Sequence, residues 1–220
     1  MNNNDRKFSR RELLQMSAGL AGLAFTGSVL GQSRALTPEI QMGPFYPMVK
    51  PLDKDADMTM LAGHKKRALG EIVEVVGKVV NGNGDPVNGA RIEIWQANAA
   101  GRYSHGADTN TAPLDPDFQG FAVVTTDAMG RYRFKTVKPG AYPATPTWKR
   151  PPHIHVDIFG KTDRLVSQMF FPGEDLNEKD SIFLELGSDK AAALASVLPA
   201  TADIEKGAIL LNWDIVLNKG

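Results

Sequence analysis

The chain has no cysteine. That removes disulfides, zinc–thiolate sites, iron–sulfur clusters and thiol catalysis together. Histidine and tyrosine are scarce, four of each in 220 residues, so a metal site must combine few imidazoles with carboxylate, phenol or backbone oxygen. Net charge is also missing: 25 basic residues meet 25 acidic ones. No basic surplus points to nucleic acid or to an anionic membrane as partner. The one long apolar stretch, near the N-terminus, is too short for a comfortable membrane span. What remains is 42% hydrophobic residues, enough for a packed core and too many for a disordered chain.

The first 35 residues read as a targeting segment. "SRRELLQ" places Arg10 beside Arg11, and "MSAGLAGLAFTGSVLG" follows, apolar but rich in Gly, Ala and Ser. "SRA" at Ser33–Ala35 then offers small residues at a cleavage spacing. Pair, apolar stretch and cleavage site stand in the order of a twin-arginine (Tat) export signal. The expectation is export to the periplasm or beyond, with no membrane association once the signal is removed. The mature chain then starts near Leu36, and residues 36–70, rich in Pro and Asp, are expected to wrap over one domain spanning 71–220.

From residue 72 the chain reads as short strands with turn punctuation. "EIVEVVGKVVNGNGDPVNGARIEIWQAN" holds two β-branched runs around a cluster of Asn, Gly, Asp and Pro. "GFAVVTTDAMGRYRFKTV" repeats the pattern, with the turn at Asp127–Gly130 and Tyr132 and Phe134 on one face. "HIHVDIFG" and "LVSQMFFPG" read as a strand pair, and "GAILLNWDIVLN" as a last strand facing Ile209, Leu211, Trp213, Ile215 and Leu217 one way. Only "SDKAAALASVL" (188–198) reads as helical, with Ser188 or Asp189 as N-cap. The expected fold is all-β: an antiparallel β-sandwich with one short helix and a loop-built metal site.

Chemistry concentrates in "GPFYP", "NAAGRYSH", "KPGAYP" and "WKRPPHIH", where Gly and Pro pin the backbone. His153 and His155 share one strand face, and Ile154, Val156 and Ile158 take the other. His-x-His is a ligand spacing, although two polar residues on a wet strand face would look the same. Tyr103 and Tyr142 lie in Gly-bracketed loops. They are either aromatics capping the sandwich or phenolate donors, which favour ferric iron.

These segments, taken in order, resemble the intradiol ring-cleavage dioxygenases, most of all the iron-bearing type of chain in protocatechuate 3,4-dioxygenases. The resemblance runs from "GPFYP" through "GARIEIWQANAAGRYSH", "APLDPDFQGFAVVTTDAMGRYRFKTVKPGAYP" and "WKRPPHIHVDIFG" to "LVSQMFFPGE". It implies a β-sandwich in which Tyr103, Tyr142, His153 and His155 hold a non-haem Fe(III) ion. Tyr142 is then the axial tyrosine released when substrate binds. Arg150 and Gln168 match residues beside the substrate, Arg150 stabilising negative charge that develops on the ring. The implied reaction cleaves a catechol-type ring between its hydroxylated carbons with O2, giving a cis,cis-muconate-type product. The implied partners are a small catecholic substrate and O2, without nucleic acid, and assembly as a homo-oligomer is open. "GAYPATPTW" and "RPPHIH" depart from the commonest wording near the substrate, so ring substituents stay open too.

Two rival readings use the same residues. An exported, non-enzymatic Ig-like binding module accounts for the strands and leaves the tyrosines, Arg150 and His-x-His without a purpose. A copper or zinc protein uses the histidines and makes the tyrosines structural. His105 reads as a pocket-rim or surface group, and His64, beside Lys65, Lys66 and Arg67, as part of a solvated basic turn. Tyr46 and its loop are expected over the pocket mouth, and Trp148 either walls the substrate site or packs on the sandwich edge.

Overall fold

The turn-rich stretches carry the chain from sheet to sheet. In the computed structural model, which describes residues 34–220, eleven strands follow in order: β1 (Ile72–Asn81), β2 (Arg91–Trp95), β3 (Phe121–Thr125), β4 (Arg131–Val137), β5 (Tyr142–Thr145), β6 (Trp148–Arg150), β7 (His153–Phe159), β8 (Arg164–Phe170), β9 (Ser196–Leu198), β10 (Ile209–Asn212) and β11 (Ile215–Leu217). β1 and β2 flank the first Gly/Asn cluster yet lie in different sheets, and β3 and β4 are divided in the same way. The Asp127 carboxylate closes the second crossing, accepting from the Met129 and Arg131 amides at 2.9 Å each. Residues 1–33 of the expected export signal lie outside the described residues.

One sheet centres on β1. β4 pairs with it antiparallel, whereas β10 and β11 pair with it in parallel. The last strand of the sequence reading is thus two strands. The break falls at Trp213–Asp214, where the Trp213 amide bonds Val76 O and the Asp214 side chain accepts from Lys78 N. Register survives it, with Val73 opposite Ile209 and Val79 opposite Ile215. The parallel pairings depart from the expected all-antiparallel arrangement. The other sheet, β3-β2-β7-β8, is antiparallel throughout.

Between the sheets lies the core, with Val75, Ile92, Ile94, Ile154, Val156, Ile158, Met169, Leu211 and Ile215 buried. Alternation along β2, β7 and β8 sends Trp95, His153, His155, Gln168 and Phe170 to the opposite face. That face is dry, because His153, His155 and Gln168 are each 2% exposed or less. The shared face expected for the two imidazoles is there, opposite the aliphatic side, and it is closed to solvent. Residues 36–50, without strand or helix, lie across this face, bonding Ile40 N to Val166 O and Gln41 O to the Gln168 side chain. Residues 51–70 continue over the β4 edge, where Met58 N meets Lys135 O.

The helix expected over 188–198 shrinks to one turn, α2 (Lys190–Ala193), behind a 3-10 turn at Gly187–Asp189. Asp189 stands at its N-cap without a side-chain bond. The next residues are captured by strand edges: Leu194 bridges Phe170, Ala195 N bonds Phe170 O, and β9 joins β10. An unforeseen helix, α1 (Ser181–Glu185), precedes it, capped by the Asp180 side chain.

Candidate metal centre

Two loops and one strand bring the chemistry together. Asn98 organises the loop after β2: its side-chain oxygen accepts from Ala100 N and Arg102 N, and its side-chain amide bonds Pro113 O. The loop before β5 packs directly onto it. A Cβ on Gly101 would sit 2.7 Å from Ala141 O, and one on Gly140 would sit 2.5 Å from Ala99 O. Only glycine permits this approach, and it delivers Tyr103 and Tyr142 to one place. Their rings meet edge to face with centroids 5.5 Å apart. Arg150, at the end of β6, pairs across the ribbon with Tyr142, and β7 begins three residues later.

The polar atoms converge. His153 Nε2 lies 3.2 Å from His155 Nε2 and 3.5 Å from the Tyr103 hydroxyl. Tyr142 and His153 have ring centroids 5.7 Å apart. His153 Nδ1 is 2.7 Å from Pro151 O, so that nitrogen carries the proton and Nε2 presents a lone pair. Arg150 stands beside them, 4% exposed. Its Nη1 donates towards His153 Nε2 at 3.3 Å, its Nη2 to Gln168 Oε1 at 2.9 Å and its Nε to Asp180 Oδ2 at 2.9 Å.

Burial dominates the electrostatics. It holds both imidazoles well below the usual histidine range, with the Arg150 charge adding to the effect. It also lifts the Tyr103 hydroxyl well above the ordinary phenol range, and raises Tyr142 against the opposing pull of Arg150. The site is therefore a set of neutral, buried donors. Neutral imidazole is the form that ligates.

The donor set fits a metal only when phenols are counted. Among the described residues no group of three or more His, Cys, Asp or Glu is arranged to hold an ion. Two imidazole nitrogens at 3.2 Å repel unless a cation or proton lies between them. The Pro151 carbonyl orients the first imidazole as carbonyls orient metal-binding histidines. The second is stacked on Trp95, centroids 4.9 Å apart and 12° from parallel, and its Nδ1 is buried without a partner. Hard phenol oxygens beside two imidazoles suit iron better than zinc.

A cavity of about 660 Å3 opens onto this cluster. Tyr142, Arg150, His155 and Gln168 reach it from within, and Pro143–Pro146, Trp148 and Ile182 wall it. Trp148 thus does both things considered for it, since it also packs against the cluster of Ile40, Phe170, Ile182, Phe183 and Ala193. The covering aromatic is Phe45, stacked on Tyr103 at 4.5 Å. Tyr46, expected at the mouth, instead bonds Glu93 at 2.5 Å. His105 lies edge-on to Phe45, and exposed His64 pairs with Asp117. Sequence reasoning missed Asp180, Trp95 and Glu93. Asp180 carried one legible sign, an acidic residue directly before "SIFLE".

The dioxygenase family Dioxygenase_C matches residues 41–219. The chain is a member of the intradiol ring-cleavage dioxygenases. It is 46% identical to a protocatechuate 3,4-dioxygenase beta chain of Burkholderia cepacia over 169 residues, 74% of this chain and 71% of that one. It is 33% identical to a hydroxyquinol 1,2-dioxygenase of a Rhizobium strain, over 64% of this chain and only half of that relative. Among solved structures, 3-chlorocatechol 1,2-dioxygenase of Rhodococcus opacus 1CP aligns with TM-score 0.66 at 23% identity, covering 88% of this chain and 77% of that one. The dioxygenase domain of a carbohydrate-binding fusion from Streptomyces sp. SirexAA-E aligns with TM-score 0.64 at 24% identity, covering 84% and 100%. At these identities the two structures speak for the fold. The family match begins at residue 41 and so takes in much of the extended segment. Membership removes the case for a non-enzymatic binding module.

Proposed function

We propose that this dioxygenase holds one non-haem ferric ion and opens a catechol-type ring between its two hydroxylated carbons with O2, giving a cis,cis-muconate-type product. The observation that carries the reading is the meeting of His155 Nε2 and the Tyr103 hydroxyl at His153 Nε2, 3.2 and 3.5 Å from it, with Tyr142 alongside, at the inner end of a cavity partly walled by Pro146, Trp148 and Ile182.

Tyr103, Tyr142, His153 and His155 would hold the ion. When bound, it supplies a Lewis acid that binds the substrate oxygens and activates the ring towards O2. The chain's own residues do the rest. Tyr142 lines the cavity and Tyr103 does not, so the Tyr142 hydroxyl meets an incoming catechol first. As a phenolate holding the ion, its oxygen would be suited to take a proton from the substrate. Arg150 presents a fixed cation at the same end, where negative charge on the ring is stabilised without reorganisation. Gln168 holds the Arg150 fork through Nη2. Phe45 and Trp95 close the far sides of Tyr103 and His155 against water.

Catechol, protocatechuate and hydroxyquinol are the substrate types proposed, in line with the printed names of the relatives. Relatives named as alpha and beta chains support assembly, for which we propose a homo-oligomer. The first 35 residues are proposed to direct Tat export. The reading is tested by the purified protein itself. Phenolate-to-iron charge transfer colours it reddish-brown, and oxygen uptake follows on adding one of the three catechols. A colourless protein without turnover, or one whose activity depends on zinc or copper, refutes it.

A further inference from the structure

We propose that Asp180 is a positioning residue that aims the Arg150 guanidinium at the reacting centre. The inference rests on the ring-cleavage reading above. Asp180 is fully buried, and so nearly is its partner Arg150. An ion pair out of water is costly unless the geometry is good and the remaining lone pairs are filled. Here each carboxylate oxygen has a partner. Asp180 Oδ2 accepts from Arg150 Nε, and Oδ1 accepts from Ile182 N, both at 2.9 Å. Its backbone is fixed as well, with Leu184 N bonded to Asp180 O at 2.9 Å and Asp180 N to Asn177 O at 3.2 Å.

A guanidinium is planar, so two anchored nitrogens determine where the third points. Asp180 anchors Nε and Gln168 anchors Nη2. Nη1 is thereby turned to His153 Nε2 at 3.3 Å. Gln168 is itself tied to Gln41 O at 3.0 Å. Asp180 also offsets the arginine charge beside the two phenols, and so sets the field they feel. It starts α1, two residues before Ile182, which walls the cavity. One short turn therefore positions both the cation and part of the substrate wall.

Asp180→Asn separates these roles. Asparagine keeps the shape and an acceptor for Ile182 N, and loses the charge. With iron-loaded enzyme we expect kcat to fall roughly 10–100-fold, the range for residues that orient a metal site from outside its ligand set, while KM moves less than about threefold. The Asp180→Asn/Arg150→Lys double variant should be no slower than the worse single variant, because the two act as one unit. The visible band of the resting enzyme should shift, and in the iron-free protein the two substitutions should couple in urea unfolding. Should Asp180→Asn not fold, Asp180→Glu keeps the charge, displaces the guanidinium by one methylene and is expected to lose kcat in the same way. An active wild type with either folded variant within about threefold of its kcat, or rate losses that multiply in the double variant, overturns the proposal alone. A wild type that consumes no oxygen with any catechol overturns the ring-cleavage reading and this inference with it.

Discussion

Arg150→Lys tests how much of the activity depends on a fixed cation. Lysine keeps the charge and replaces a three-way fork with a single nitrogen. That nitrogen can reach Asp180 or Gln168, and cannot hold both while facing His153. At least one charge-assisted hydrogen bond of the three seen is lost, worth about 1.5–3 kcal/mol. A domain of this size shifts by about 2–4 °C in Tm per kcal/mol, so a 2 kcal/mol loss lowers Tm by about 4–8 °C. That loss leaves a typical domain stability of about 5–15 kcal/mol largely intact. The rate suffers more. Removing one preorganised donor costs about 10²–10³ in kcat, or about 2.7–4 kcal/mol. The catalytic effect therefore exceeds the structural one, and the variant should fold, bind iron and lose most turnover. Oxygen-electrode kinetics, iron content and a thermal melt on one preparation separate the three quantities. A variant with full iron and kcat within about threefold of wild type would refute the reasoning.

Other consequences follow from the same geometry. Gly43 has φ +74°, and a Cβ there would lie 3.3 Å from His155 Cε1. Gly43→Ala should cost about 1–2 kcal/mol in backbone strain and weaken iron retention, read as a faster loss of colour to a chelator. Tyr103→Phe should lose most activity and weaken and shift the band, which Tyr142 alone then supplies, while an active variant with an unchanged band would remove Tyr103 from the donor set. Glu205 is held down to about 2 from 4.5, chiefly by its hydrogen bonds with Arg67. A depressed carboxyl stabilises the fold above the unfolded value and loses that contribution as pH falls, here between about 4.5 and about 2. Glu205→Gln should therefore narrow the Tm difference between neutral and acid pH, modestly because both partners are one-third exposed. Arg10→Lys with Arg11→Lys should leave the precursor in the cytoplasm, and unchanged export would contradict a Tat route.

Much of the sandwich was legible because period-2 alternation is written plainly in "HIHVDIFG" and "RYRFKTV". Which strands pair was not. A Gly/Asn turn looks alike whether it closes a hairpin or steps between sheets, and here both steps cross. The parallel run of β10 and β11 beside β1 comes from the far end of the chain, beyond the reach of local pattern. Helix length over 188–198 failed for a related reason, since Phe170 and β10 compete for the residues after Ala193. At the site, residues with scarce chemistry stood out, as four histidines and four tyrosines made His-x-His and the loop tyrosines conspicuous. Asp180 and Glu93 did not, because an acid among 25 acidic residues gives no sign of burial. The dryness of the histidine face was hidden too, since the cover comes from residues 36–50, more than 100 positions away from β7.

The central claim concerns one ion and four side chains. Crystals of the iron-loaded protein, measured on both sides of the iron absorption edge, test it most directly. The account predicts a single anomalous peak bonded to the hydroxyl oxygens of Tyr103 and Tyr142 and to Nε2 of His153 and His155. An iron peak elsewhere, or a fully active crystal with no metal between those four groups, contradicts it.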